Sequence, residues 1–443
     1  MTAQLIIVAT MAAFVWAGLS AKAKNPQSVN GFSTSRDNLS GFITAAGISM
    51  TFVGGAALIN MASMGYTFGW YTLFDPAAMT LGMLLSTVLI SKYRADRGIT
   101  IANLLSSDHK PLALYIGIIT SVVFLLITAA QFVAFSKLLS PYFPGVHPIL
   151  VMLVPSVVIT LYVLRGGFLA VTRTDVLQMV FVATFLLLPI AYFLTFKRQV
   201  AVNSANTFQQ MPSQLAILLC IPILFIPVSQ DINIRAKSAK DDKAARIGFI
   251  GGAVFYSSVV IACSYMGISL ARHGVQLEDP EAAFPTFFKH FFPACGTFAI
   301  LAGMAAIWST LDTYLVNTIT SVAEDVFKRS KYGQQLQERR LIVLSALIVF
   351  TLAMLIGVYF FQVLALVLTA LLIYISVLVP IAIARQLNIS DKYILSVSLV
   401  TLSGIIACEL SRAAITPKAV IYPAVGTCLM IAGKLLGRAK PTV

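Results

Sequence analysis

The sequence predicts an all-α integral membrane protein with thirteen transmembrane helices. Three observations carry that expectation. Of 443 residues, 58% are hydrophobic and 11% are charged, against about 25% charged in an ordinary soluble domain. The mean hydropathy is +0.88, which leaves too little polar material to cover a soluble globule of this size. The apolar segments run roughly 20 residues each, the length of a membrane helix; barrel strands would be about 10 residues of alternating polarity.

In order, the expected spans are 4–21, 41–69, 71–91, 112–138, 147–164, 168–196, 213–231, 247–271, 294–325, 341–359, 361–384, 393–410 and 414–433. The first has no basic residue ahead of it, and Lys22 and Lys24 follow it. A signal peptide has the opposite charge order, so this segment reads as a retained span with the N-terminus outside. Charge then tests the count. With thirteen spans, 24 of the 31 Lys and Arg fall on the cytoplasmic side, among them Arg36, Arg165, Arg173, Arg235 and Lys237, and seven fall outside. That asymmetry matches the positive-inside rule and puts the C-terminus in the cytoplasm.

The net charge of +14 is therefore topological and does not point to nucleic acid. No loop is long enough for a catalytic domain, and the GxSxG, GKS/T and HExxH templates are absent, so no enzyme activity is expected. Cys220, Cys263, Cys295, Cys408 and Cys428 lie in apolar segments and read as packing residues. The four histidines have no metal-ligand spacing. The expected setting is a lipid bilayer, the bacterial inner (plasma) membrane, with the chain working as a monomer.

Spans 2 and 7 interrupt the regular pattern. Span 2 carries Val53-Gly54-Gly55-Ala56-Ala57 at its middle, where adjacent glycines weaken a helix. Span 7 carries Pro222 and Pro227, which remove helical hydrogen bonds. They are five spans apart, so they cross in opposite directions. The pattern points to a five-plus-five inverted repeat, residues 41–196 and 213–385, with a binding site at the midplane beside two discontinuous helices. Residues 1–30 form an extra first helix and 390–443 two final ones, all within one transporter domain. Gly251-Gly252 reads as helix packing.

Polar groups at membrane depth are costly and need a reason. Span 9 is the richest, with Trp308-Ser309-Thr310-Leu311-Asp312 near its midpoint. Two hydroxyls facing freed backbone carbonyls suit a hard monovalent cation; alternatively they bond back to their own helix. Asp312 lies about half a turn on and is expected to point away from such a cage. Asp175, with Gln178 on the same face, either pairs with Arg173 or Arg165 or serves a cation or proton. Asp75, early in span 3, either meets a cationic part of a solute or caps its helix before Pro76. Tyr66, Phe68, Trp70 and Tyr71 either gate a pocket or form an interfacial belt.

Four motifs then match a known family. They are Gly65-Tyr66-Thr67-Phe68-Gly69 and Gly166-Gly167-Phe168-Leu169-Ala170-Val171 continuing to Thr174-Asp175-Val176-Leu177-Gln178. The third is Gln230-Asp231-Ile232-Asn233-Ile234-Arg235, and the fourth runs from Ala305 through Asp312 to Glu324-Asp325-Val326-Phe327-Lys328-Arg329. Over residues 31 to 385 the chain resembles the sodium/solute symporter family of proline, pantothenate, sialic acid and sugar carriers.

The resemblance implies a LeuT-type five-plus-five fold with one span added before it and two after. It implies a sodium site from the Ser309 and Thr310 hydroxyls, the Ala306 carbonyl and the Met50 and Val53 carbonyls. It also implies a possible second cation site at Asp175. Gly54, Gly55, Asn60, Asp75, Gln131 and Phe225 are the expected solute contacts, with Tyr374 a further candidate. Trp308 is bulky for its place. Ala56-Ala57-Leu58-Ile59 offers nothing to grip a sugar, and no basic residue lies at pocket depth.

The expected function is secondary active transport: inward sodium movement coupled to uptake of a small polar organic solute, an amino acid or organic acid in preference to a sugar. One rival is proton coupling through Asp175. Another is a non-transporting sensor or assembly subunit of the same fold, although no signalling module accompanies this sequence.

Overall fold

The computed structural model describes residues 2–21, 27–106, 109–196, 208–293, 296–410 and 418–436. Lys22, Lys24, Lys197, Arg198, Cys295, Arg412, Arg438 and Lys440 lie outside them. Among the described residues, seven helices are each long and apolar enough to cross a membrane, or up to nine if each sharply bent pair is one span. The shorter apolar helices Ala3–Leu19 and Val420–Leu435 coincide with the first and last expected spans. Among the described residues the one β-bridge is an isolated one between Leu39 and Ala239.

In chain order, the helices that build the site and its surroundings are α1 (Thr2–Leu19), α2 (Gly41–Phe52), α3 (Gly55–Phe68), α4 (Phe74–Val88), α5 (Lys110–Leu139) and α6 (Pro148–Val182). They continue with α7 (Pro222–Val228), α8 (Gln230–Ser238), α9 (Asp242–Arg272), α10 (Thr297–Ser321), α11 (Glu338–Tyr359), α12 (Val363–Gln386), α13 (Asp391–Leu410) and α14 (Lys418–Leu435). The second expected span is two helices, α2 and α3, parted at Val53-Gly54. The seventh is broken ahead of Pro222 and again at Ser229, where the chain bends by 44°. Both interruptions fall where the glycine pair and the prolines predict them.

Span five and the first half of span six lie within α6, interrupted at Gly167, whose φ is 55° and ψ −147°; the helical path of span six continues through Ala183–Leu187 and Leu188–Phe196. A Cβ on Gly167 would also sit 2.3 Å from the Phe32 carbonyl oxygen. Backbone conformation and close approach therefore both require glycine.

At the centre stands α10, where every residue from Ala299 to Ser321 is buried. A helix buried on all sides has no solvent face to hold its polar groups, so its hydroxyls, Asn317 and Asp312 must find partners on neighbouring helices. Helix α9 runs along both halves of the broken second span. A Cβ on Gly252 would lie 2.7 Å from Ile48 Cγ2, and one on Gly267 would lie 1.9 Å from the Ala62 carbonyl oxygen. Small residues let these backbones approach closely, and Gly251-Gly252 packs as expected. Ser40 and Asp241 cap α2 and α9, accepting from the Ile43 and Ala244 N–H groups at 3.3 and 2.6 Å.

One assignment is corrected. The sequence places Arg235 and Lys237 in a cytoplasmic loop; both are buried, in α8. The chain stays helical for nine residues past Ser229, and carboxylates on other elements satisfy the charges it carries inward. Lys237 Nζ reaches Asp96 Oδ2 at 2.6 Å and donates to the Gly98 carbonyl at 2.7 Å.

Gly267→Ala is expected to overpack the α3–α9 contact at a cost of about 1–3 kcal/mol, lowering the melting temperature in detergent by several degrees. Gly404→Ala, on α13 with no atom near its Cβ position, is expected to leave it unchanged or raise it. Differential scanning fluorimetry on the two variants checks the pair.

Candidate ion and solute site

The site begins at the gap between α2 and α3. Val53 has φ −78° and ψ 63°, and Gly54 is extended at φ −91° and ψ 179°. The helical pattern closes on either side with Val53 N–H donating to Ser49 O and Leu58 N–H to Gly54 O. The Met50 and Val53 carbonyls fall in the last turn of α2 and its cap, where acceptors lose their intrahelical partners. The two glycines allow α10 and α5 to press against this gap. A Cβ on Gly54 would lie 2.7 Å from Thr310 Oγ1 and 3.2 Å from Gln131 Oε1. Thr310 Oγ1 donates to the Met50 carbonyl at 3.3 Å, and Gly55 N–H donates to Gln131 Oε1 at 3.3 Å.

Ser309 turns toward α6 instead, donating to Asp175 Oδ1 at 2.5 Å. Neighbouring positions on a helix point about 100° apart, so the two hydroxyls flank the space between the α2 gap and Asp175. Ala306, one turn earlier than Thr310, is buried on the same helix.

Asp175 does not pair with Arg173 or Arg165. Arg173 donates to the Ser20 carbonyl at 2.7 Å, and Arg165 is exposed. The partner of Asp175 is Arg235, with Nη2 3.2 Å from Oδ2 and both side chains fully buried. The same Nη2 donates to Thr51 Oγ1 at 2.8 Å and Thr313 Oγ1 at 3.1 Å, while Nε donates to Asp231 Oδ2 at 2.9 Å. Asn317 Nδ2 holds the other oxygen of Asp231 at 3.1 Å. One guanidinium thus ties α8 to α2, α6 and α10. Room for it depends on Gly47, where a Cβ would lie 1.8 Å from Nη1.

Sequence reasoning missed this hub because a span boundary drawn at 231 leaves Arg235 outside. The available signal was Asp231 and Arg235 at i,i+4, a pairing distance on one helix face.

Asp312 points away from the gap, as expected. Its Oδ2 accepts from Tyr162 Oη and from Thr174 Oγ1, the latter at 3.0 Å. The bulk of Trp308 is accommodated on that side too: its Nε1 donates to Tyr162 Oη at 2.9 Å, and its ring stacks on Tyr162 and meets Phe14 and Phe135 edge-on.

Beside Thr310 opens a cavity of about 130 Å³; a single water needs roughly 10–15 Å³ on this measure. Gly54, Asn60, Asp75, Gln131 and Phe225 all line it. Gly55 does not, being packed on Ile307 and Ala134. Tyr374 stands behind Phe225, ring centroids 5.2 Å apart, and donates to the Val228 carbonyl at 3.0 Å. Asp75 makes no helix cap; it accepts from Tyr256 Oη at 2.6 Å. Tyr256, Tyr314, Met61 and Met79 also line the cavity and carry no sequence signal that separates them from core residues. Tyr66, Phe68, Trp70 and Tyr71 do not line it. Trp70 and Tyr71 are about half exposed, and Tyr66 Oη donates to the Val275 carbonyl at 2.9 Å.

Arg235→Met is expected to strand Asp175 and Asp231 without a counter-charge, at a cost of about 3–5 kcal/mol. Its yield of monodisperse protein by fluorescence-detected size exclusion should fall well below that of wild type, with partial recovery in Arg235→Met/Asp231→Asn.

The model of the sodium:solute symporter family matches residues 32–385. An osmoregulated proline transporter of Bacillus subtilis is 26% identical over 357 residues, covering 74% of this chain and 72% of that protein. Sodium/proline symporter 2 of Staphylococcus saprophyticus is 25% identical over 318 residues, covering 65% of this chain and 61% of that protein. The chain thus spans about three fifths to three quarters of the length of these relatives. Among solved structures, a Na+-coupled sialic acid symporter in a substrate-bound outward-open state superposes with TM-score 0.78 at 14% identity, covering 100% of this chain and 99% of that one. The nucleobase-cation-symport-1 transporter Mhp1 in a closed conformation superposes with TM-score 0.62 at 16% identity, covering 91% and 94%. These neighbours show a LeuT-type fold in a multi-pass membrane protein, and the chain belongs to the sodium:solute symporter family.

Proposed function

We propose that this chain couples inward movement of sodium to uptake of a small polar organic solute, an amino acid in preference to a sugar. The observation that carries the proposal is the Thr310 hydroxyl set on the Met50 carbonyl at the α2–α3 gap. A sodium ion held by Thr310 and Ser309 Oγ atoms and by the Met50, Val53 and Ala306 carbonyls would replace that hydrogen bond. It would fasten α2 to α10 and so order the wall of the adjoining cavity. Oxygen donors without thiol or imidazole suit a hard cation. Solute affinity then rises with sodium, and by linkage sodium affinity rises equally with solute. One charge moving through about 100 mV contributes about 2.3 kcal/mol before any concentration gradient.

Asp175, with Ser309, is the place for a second cation. Gln178, on the same face, is buried with no hydrogen bond to its amide among the described residues. The Arg235 partner of Asp175 speaks against a carboxylate free to carry protons. We take the chain to cross the bacterial inner membrane thirteen times as a monomer, N-terminus outside and C-terminus in the cytoplasm. Residues 41–196 and 213–385 are its two inverted repeats. The relatives that transport proline favour an amino acid.

The test is uptake into proteoliposomes with inward and null sodium gradients, using L-proline first and then solutes found by a thermal-shift screen. Uptake should require sodium. Thr310→Ala should raise the half-saturating sodium concentration about tenfold or more, and Ser309→Ala/Thr310→Ala should abolish sodium dependence. Uptake indifferent to sodium and unchanged in the double variant would overturn the reading.

A further inference from the structure

The cavity beside Thr310 holds a single ionisable carboxylate and no basic side chain. Its lining is otherwise apolar or neutral: methionines, leucines, aromatic rings, Asn60 and Gln131. Asp75 sits in this wall with one oxygen engaged by Tyr256 Oη at 2.6 Å. Among the described residues no lysine, arginine or histidine pairs with it. Among the described residues, three of the four fully buried carboxylates elsewhere have a basic partner. Asp175 and Asp231 share Arg235, Asp325 has Arg329 at 3.4 Å, and Asp312 has two hydroxyl donors.

A carboxylate at membrane depth facing an apolar cavity, with one phenol as its only partner, is costly unless a cation arrives. The sodium site proposed above lies on the Thr310 side and uses other oxygens. A cation brought by the solute would fill the place left open at Asp75.

We infer that Asp75 and Tyr256 form a receptor for a protonated amine, so that the solute class is compact ammonium compounds with an apolar body. The free Asp75 oxygen accepts an N–H from the ammonium, and Tyr256 holds the carboxylate in place. Phe225, Tyr256 and Tyr314 line the same cavity, and aromatic faces stabilise a nearby cation further. The thioethers of Met61, Met64 and Met79 supply polarisable, adaptable walls for the solute's carbon skeleton.

The same arrangement rejects an organic acid that lacks an amine. Its carboxylate would face Asp75 as a like charge, with no basic residue in the cavity to offset it. This narrows the class expected from sequence, where organic acids stand beside amino acids. Asn60, whose amide makes no hydrogen bond among the described residues, remains for a second polar group on the solute. The inference rests on the transport reading for its physiological role, but not on sodium being the coupling ion.

Four five-membered rings of similar size separate the possibilities: pyrrolidine, a cation; L-proline, a zwitterion; cyclopentanecarboxylate, an anion; and cyclopentanol, neutral. Binding to the purified full chain is read by thermal shift and by tryptophan fluorescence, each with sodium and with choline. The two amines should bind, and the two amine-free rings should not. Asp75→Asn should weaken amine binding by about 10- to 100-fold, the loss expected for a hydrogen bond to a charged group, while leaving the shift produced by sodium alone in place. If Asp75→Asn does not fold, the four-ring comparison on wild type decides.

Equal binding of cyclopentanecarboxylate or cyclopentanol overturns the inference. So does unchanged amine affinity in Asp75→Asn, and so does failure of both amines in protein that responds to sodium. Amine binding without any effect of sodium would leave this inference standing and remove the sodium reading instead.

Discussion

The contact on which the arrangement turns is a threonine hydroxyl against a backbone carbonyl at a place where a membrane helix is interrupted. In hydrocarbon an unpaired carbonyl is costly, so irregular backbone survives only where protein or a polar cavity supplies partners. Here Gly54 and Gly55 open the second span, and their missing side chains admit Thr310, Ile307 and Gln131 into the gap. The gap cannot close back into helix without expelling those neighbours. It also cannot stay open without them, because they fill the space and take up its freed groups. A site whose members need each other in this way is suited to having its stability altered by one small ion.

The second constraint is electrostatic. Asp175, Asp231 and Arg235 lie fully buried together, bridging four helices around the centre of the bundle. Such a group contributes little net stability compared with a well-packed apolar core, but removing one member is strongly destabilising. Its value is geometric. It fixes the rotation of α10, and with it which hydroxyl faces the helix gap and which faces Asp175. Thr313, one turn from Ser309, accepts from Arg235 Nη2 at 3.1 Å. Through its glycines α9 packs closely along both α2 and α3. The cavity with Asp75 and Tyr256 lies on the same flank, since Tyr256 belongs to α9. The proposed ion site and the cavity thus share Thr310 and the helices that frame them.

Much of this was legible in the residues. The glycine pair and the two prolines marked the interrupted helices, because backbone conformation there is governed by local chemistry. The polar run Ser309 to Ser321 marked α10, because hydroxyls and amides at membrane depth need partners. Five of six expected solute contacts line one cavity, while Gly55 instead packs on Ile307 and Ala134. The buried guanidinium was not legible from hydropathy, which ends a span at the first cluster of charges. Past Ser229 the buried Arg235 of α8 meets Asp175 and Thr313, which are distant in the chain. The choice of Asp175's partner was missed for the same reason: Arg173 and Arg165 are near in sequence, and Arg235 is near only in space. Tyr256 and Tyr314 look like ordinary core aromatics until α9 and α10 are docked.

The most direct test of the ion reading is a pair of high-resolution cryo-EM maps of the full chain, in saturating sodium and in choline. A compact density should appear only in sodium, bounded by the Met50 carbonyl and Thr310 Oγ1, with the hydroxyl rotated off the carbonyl to make room. Density beside Asp175 alone, or identical maps with the threonine still bonded to Met50, would contradict the account.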